Sequence, residues 1–209
     1  MKKHKLQIAA SLLLLVITLL CGAASQGADT IKTVGSSDKP LLGKIKLLPA
    51  FELPMPQGKS DKSYMGLSGT GDFKLGQIKA RVLIIEVFSF YCPHCQRSAA
   101  QVNELYEKIE GRPDIKEKIK LIGIGAGNSL YEVNSFKERY HVPFPLIPDQ
   151  GMEITEILGV RGTPTFIAAK ADGKGLLEQF YFGEGGFPDA GQFLAQIIKL
   201  SGLEGEVKK

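Results

Sequence analysis

The 209-residue chain predicts a single α/β domain whose mixed central sheet is covered by helices on both faces. Three observations carry that expectation. Residues 81–90 and 120–125 are β-branched, aromatic and apolar on both sides of the pleat, as strands buried on two faces must be. Helix-period segments follow each of them, at 92–110 and 130–140, so strand and helix alternate. The order then changes: residues 165–169 and 176–182 read as two strands across a turn at 171–175, an antiparallel hairpin, and a last amphipathic helix closes the domain.

Taken in order, the chain opens with a basic start, an apolar run over residues 6–20 and small residues at 22–25, the sequence of features in a secretory signal. Cleavage after Ala24 is expected, Gly22 and Ala24 supplying the small recognition positions. The run is near the lower limit for crossing a bilayer, so residues 1–24 read as a signal peptide or an N-terminal anchor, and Cys21 adds a lipoprotein form as a third reading. Residues 25–46 are polar and without period, a flexible linker or tether. The domain is expected over 47–201, with a polar tail at 202–209. Its entry, residues 47–53, reads as an edge strand or loose hairpin before a turn-rich stretch at 54–61. A glycine-rich loop at 66–71 precedes a short helical turn at 73–79.

Residues 81–90 follow as the central strand, and Ser98, Val102, Leu105, Tyr106 and Ile109 mark the next helix until Gly111 and Pro113 stop it. After the strand at 120–125, Leu130, Val133 and Phe136 suit a second helix. Residues 142–149 are too rich in proline for a central strand and read as a short edge element, followed by a short helix at 152–158. Beyond the hairpin, Phe193, Leu194, Ile197 and Ile198 point inward from a helix over 189–200.

Composition excludes some classes. The formal net charge of +4 rests on five lysines at the ends (Lys2, Lys3, Lys5, Lys208 and Lys209), which leaves the body close to neutral. No clustered Lys/Arg face exists for phosphate neutralisation, so nucleic acid is not an expected partner. Loss of the leader would leave two cysteines in a compartment where disulfides form and persist.

Those two cysteines, in Cys92-Pro93-His94-Cys95, are the candidate catalytic residues. A bridge enclosing two residues stabilises little, because the stabilisation grows with the loop closed, so the spacing points to reversible chemistry. Thiol–disulfide exchange needs one exposed, ionised cysteine and a second that can attack the mixed disulfide formed. Cys92 lies at a helix start, where partial positive charge and free N–H groups favour thiolate. Cys95, one turn further in, is expected to be more buried. His94 can donate to the Cys92 thiolate or carry positive charge beside it, either of which would stabilise the reduced form and make the disulfide more oxidising.

Other readings of these residues compete. Two thiolates and His94 lack a fourth ligand for zinc, with His141 the remaining candidate in the domain. A c-type haem site would need histidine where Gln96 stands. Gly123, Gly125 and Gly127 lack the turn-to-helix setting and acidic partner of a dinucleotide site and read as a tight turn. Ser89 alone matches the peroxiredoxin pattern around its reactive cysteine.

The segment 86–95, from Glu86 to Cys95, resembles the active-site strand and helix start of thioredoxin-fold oxidoreductases, and its Pro93-His94 dipeptide resembles that of the periplasmic oxidase DsbA. Residues 136–145 and 159–165 are instead similar to the TlpA and peroxiredoxin branch. The space between the motif and Pro164 holds a strand, one helix and an edge element rather than a large helical insertion. The resemblance implies a thioredoxin-like three-layer α/β/α sandwich with a mixed central sheet and a short strand-helix insertion. It also implies roles. Thr163-Pro164 would be a cis bond beside the cysteine pair, pairing with an extended substrate. Glu86 would assist proton transfer from the buried cysteine, although its position alone also fits a partly solvated strand acid.

The function so implied is a thiol–disulfide oxidoreductase acting on extracytoplasmic protein thiols or disulfides, apocytochrome c among them, with a membrane redox partner and no bound cofactor or metal. Pro93-His94 favours oxidation and the TlpA-like frame reduction, so the direction stays open. The alternative is a copper- or zinc-binding chaperone module built on the same cysteine pair.

Overall fold

The structure, a computed structural model, describes residues 46–206, so all but the last residue of the expected leader and linker lies outside it, as do residues 207–209. The described elements are β1 (Lys46–Leu47), β2 (Glu52–Pro54), α1 (Lys59–Met65), β3 (Asp72–Lys74), β4 (Val82–Phe88) and α2 (Pro93–Glu110). They continue with β5 (Ile119–Ala126), α3 (Leu130–Arg139), β6 (Leu146–Asp149), α4 (Glu153–Ile157), β7 (Thr165–Ala171), β8 (Leu177–Glu184) and α5 (Ala190–Ser201). The main sheet has the order β1-β8-β7-β4-β5-β6. It is mixed: β4, β5 and β6 run parallel, while β7 and β8 are antiparallel to their neighbours. Among the described residues no helix is long and apolar enough to cross a membrane.

The two-residue period of β4 divides the core. Val82, Ile84 and Phe88 pack with Val102 and Leu105 of α2, Phe136 of α3 and Phe193 and Ile197 of α5. Leu83, Ile85 and Val87 face the opposite layer, with Leu53, Met65, Phe73 and Ile154. Glu86 falls on the first face, between Ile84 and Phe88, and is 3% exposed. Cys95 belongs to the same cluster, so strand period alone aims the acid at the layer that holds the second thiol.

The entry to the domain differs from the sequence expectation in three places. Residues 47–53 do not form one strand: β1 pairs with β8 at the sheet edge, and β2 pairs with β3 in a separate two-stranded sheet. Asp72–Lys74 is this strand rather than part of a helical turn, and only Leu75–Gln77 is helical, as a 3-10 turn. A helix, α1, follows the turn-rich stretch. Its apolar residues are too few to signal it, and tertiary contacts hold it: the Tyr64 hydroxyl accepts from Leu121 N–H at 2.9 Å, Asp61 pairs with Lys137 at 2.9 Å, and Met65 is fully buried. Gly66 ends it at φ 66, a left-handed turn that suits glycine.

At the other end, the domain runs past Ser201. Leu203 is fully buried in the α2/α5 cluster and starts a 3-10 turn, so the segment from 202 is no purely polar tail. Leu203→Ala is expected to lower stability by about 2–4 kcal/mol in urea unfolding, where a tail leucine would change it by less than about 0.5.

Candidate active site

The Cys92-Pro93-His94-Cys95 motif is built where β4 ends and α2 begins. Phe88 closes the strand, Cys92 N–H donates to the Ser89 carbonyl at 3.0 Å, and Pro93 occupies the first helical position, where a missing N–H costs nothing. Cys92 is the N-cap, its Sγ accepting from Cys95 N–H at 3.4 Å. Both cysteines are free thiols, Cys92 partly exposed and Cys95 fully buried.

Two further residues fix the turn between strand and helix. Gln96 Nε2 donates to the Phe90 carbonyl at 2.8 Å, and Asn128 Oδ1 accepts from Phe90 N–H at 2.7 Å. Asn128 is fully buried in the loop after β5, and Gly125 leaves it room: a Cβ there would stand 3.1 Å from Asn128 Cβ and 2.8 Å from Val133 Cγ2. No local pattern signals Asn128, because its partner lies 38 residues away. Asn128→Ala is expected to cost about 1–3 kcal/mol in urea unfolding by stranding the Phe90 N–H. The Tyr91 hydroxyl, beside the motif, donates to Glu132, whose carboxylate also receives Ser129 N–H at 2.7 Å.

Across from the motif the Thr163–Pro164 peptide is cis, and the Cys92 thiol donates to the Thr163 carbonyl at 3.1 Å. The Pro164 carbonyl accepts from Gly185 N–H at 2.8 Å, tying this turn to the end of β8. The structure therefore brings Cys92, Cys95, Thr163 and Pro164 together, with Glu86 beneath them.

The electrostatics of these groups diverge. Partial burial pushes the Cys92 thiol up, but hydrogen bonds from the Thr163 hydroxyl, from Cys95 and from the His94 N–H outweigh it and leave Cys92 below the ordinary thiol value. Burial pushes Cys95 up to about 12, with Cys92 and the Glu86 charge adding to the rise. Burial likewise pushes Glu86 up to about 8, and the neighbouring Cys92 charge adds to it. One thiol is thus poised to ionise and the other held protonated beside a carboxyl whose own proton exchanges near pH 8.

His94 is placed differently from the expectation. Its ring is exposed, with Nδ1 2.9 Å from Arg97 Nη2, and its support to Cys92 comes through its backbone N–H. His141 lies just beyond the C-terminal end of α3, held by Asn103 through its carbonyl. Among the described residues no group of three or more His, Cys, Asp or Glu stands together in a way that could hold a metal ion.

Residues 46–179 match the model of the AhpC/TSA family. The chain belongs to the AhpC/TSA family. It is 28% identical over 183 residues to the thiol-disulfide oxidoreductase ResA of Bacillus thuringiensis subsp. konkukian, covering 85% of this chain and 89% of that protein. ResA of Halalkalibacterium halodurans is 24% identical over 101 residues, and there the chain spans about half the relative's length, 54%. A Chlorobium tepidum structure assigned as thiol:disulfide interchange protein DsbE aligns with a TM-score of 0.57 at 19% identity, covering 77% of this chain and 98% of that one. The thioredoxin domain of a Bacteroides vulgatus thiol-disulfide oxidoreductase gives 0.55 at 11% identity, covering 75% and 99%. The fold is thioredoxin-like.

Proposed function

We propose that the chain is a thiol–disulfide oxidoreductase that works on protein thiols or disulfides through the Cys92/Cys95 couple. The observation that supports it most is the divergence of the two thiols: Cys92, reachable from solvent, lies below the ordinary value, and Cys95, buried beside it, is pushed up to about 12. Cys92 is then the attacking and attacked sulfur, Cys95 the resolving one, and Glu86 the group that exchanges a proton with Cys95. Thr163 and Pro164 border the position of the substrate sulfur, and Pro93 and His94 set the backbone that supports the Cys92 thiolate.

The kinship with ResA proteins, the basic-apolar start of the sequence and the paired cysteines together favour work outside the cytoplasm, on a tether or after export, with a membrane redox partner. Apocytochrome c thiols are the substrate that the TlpA-like frame of the sequence favours. Support for the Cys92 thiolate stabilises the reduced state and shifts the couple in the oxidising direction, and the DsbA-like Pro93-His94 dipeptide favours a couple more oxidising than thioredoxin.

Equilibration of the purified protein with glutathione mixtures tests this. A two-electron couple with a potential above about −270 mV is expected. A pair that stays unoxidised across the glutathione range would overturn the reading, and stoichiometric copper or zinc blocking both thiols would replace it with the metal-chaperone alternative.

A further inference from the structure

Beside the thiol pair a cleft of about 530 Å³ opens between two walls. His94, Arg97 and Gln101 of α2 form one wall, and the Thr163–Pro164 turn with Glu184 at the end of β8 forms the other. The volume lies within the range of small-ligand sites, enough for a few residues of an extended polypeptide. The two walls differ in charge. Arg97 is exposed and makes no ion pair among the described residues. Its one described contact is with His94 Nδ1, at 2.9 Å. A guanidinium can only donate, so Nδ1 accepts and the ring proton sits on Nε2, leaving a second donor on the same wall. Glu184 is the carboxylate in the lining.

This wall lies beside the reacting sulfur: the Arg97 guanidinium reaches back to His94, two residues from Cys92, and shares the cleft with Thr163, whose carbonyl accepts from the Cys92 thiol at 3.1 Å. An extended polypeptide advances about 6.6–6.8 Å in two residues, and residues two apart share a face. Resting on the thiol–disulfide exchange reading above, we infer that this cleft recognises a carboxylate side chain two positions from the reacting cysteine of a polypeptide substrate, with Arg97 as the specificity-determining group. A planar fork of donors suits a carboxylate better than a point charge would.

The test uses otherwise uncharged peptides containing Cys-Ser-Glu, Glu-Ser-Cys or the matching glutamine versions, each supplied as a disulfide with thionitrobenzoate. The Cys92 thiolate of the protein carrying Cys95→Ala attacks the peptide sulfur, the peptide–thionitrobenzoate bond breaks, a Cys92–peptide disulfide forms, and coloured thionitrobenzoate leaves with the electron pair. The rate of colour release is expected to favour glutamate over glutamine by about 3- to 10-fold in at least one of the two orders at low ionic strength. High salt and Arg97→Gln should each bring that ratio close to one. A ratio near one in the Arg97 protein, or a ratio that survives Arg97→Gln, overturns the inference and leaves the exchange reading intact. Failure of every peptide to form the Cys92 disulfide overturns the exchange reading and this inference with it.

Discussion

Replacing Cys95 with alanine is expected to leave the protein covalently joined to its substrates, while replacing Cys92 with alanine leaves no adduct at all. The asymmetry follows from the two thiols. Cys92 is partly exposed, sits at the N-cap of α2 and lies below the ordinary thiol value, so it ionises more readily than an ordinary cysteine and is within reach of a substrate. Cys95 is fully buried and pushed up to about 12, so at pH 7 only roughly one part in 10⁵ is ionised, and that fraction is out of reach of a protein substrate. Without Cys92 the remaining thiol is therefore silent. Without Cys95 the mixed disulfide at Cys92 loses its internal nucleophile. An intramolecular attack with well-placed groups competes at effective concentrations on the order of 10⁵ M or more, whereas release by outside thiols takes minutes to hours. Non-reducing electrophoresis of cells expressing each variant reads the result as slow-migrating, reductant-sensitive bands. Equal adducts from both variants would mean that Cys95 is accessible and that the assignment of attacking and resolving thiols fails.

The elements around Cys92 were legible in the sequence because their causes are local. The run 81–90 is apolar on both faces, which only a doubly covered strand tolerates, and the helix starting at the motif carries its own period and its own stop at Gly111. The hairpin at 165–184 is signalled by its turn. The parts that were not legible owe their structure to distant partners. α1 is held by Tyr64 on Leu121 and Asp61 on Lys137, contacts that span 57 and 76 residues. Asn128 became part of the site through Phe90, and the cleft wall needed the side of α2 that faces β8, which a one-dimensional period does not orient. His94 illustrates the same limit. Its type and spacing suggested that the ring serves the thiolate, but the rotamer turns the ring to Arg97, one helical turn along, and leaves the backbone N–H to do that work.

Glu86→Gln is expected to slow resolution of the mixed disulfide by roughly 10²-fold and to remove from its rate the inflection that Glu86 imposes below about pH 8. Burial, then the adjacent Cys92 charge, pushes this carboxyl up to about 8, so in the reduced protein it is mostly protonated at pH 7. Once Cys92 is tied in a mixed disulfide its charge is gone, that part of the rise disappears, and Glu86 ionises more readily at the step in which Cys95 must lose a proton. The resolution rate should climb with pH through the Glu86 value and then level, as read by rapid quenching of a preformed mixed disulfide. A second, independent readout comes from stability. The folded protein keeps a proton on Glu86 up to about pH 8, whereas the unfolded chain releases it near 4.5, so the folded state binds more protons between these values. The stabilisation is complete below pH 4.5 and is lost as pH rises through 8, at up to about 1.4 kcal/mol per pH unit and a few kcal/mol in all. Urea unfolding at pH 5 and pH 8.5 should show that loss in the parent protein and a much flatter profile in Glu86→Gln. A stability slope without the kinetic inflection would make Glu86 a buried acid with no part in the chemistry, whereas both together place it on the path of the Cys95 proton.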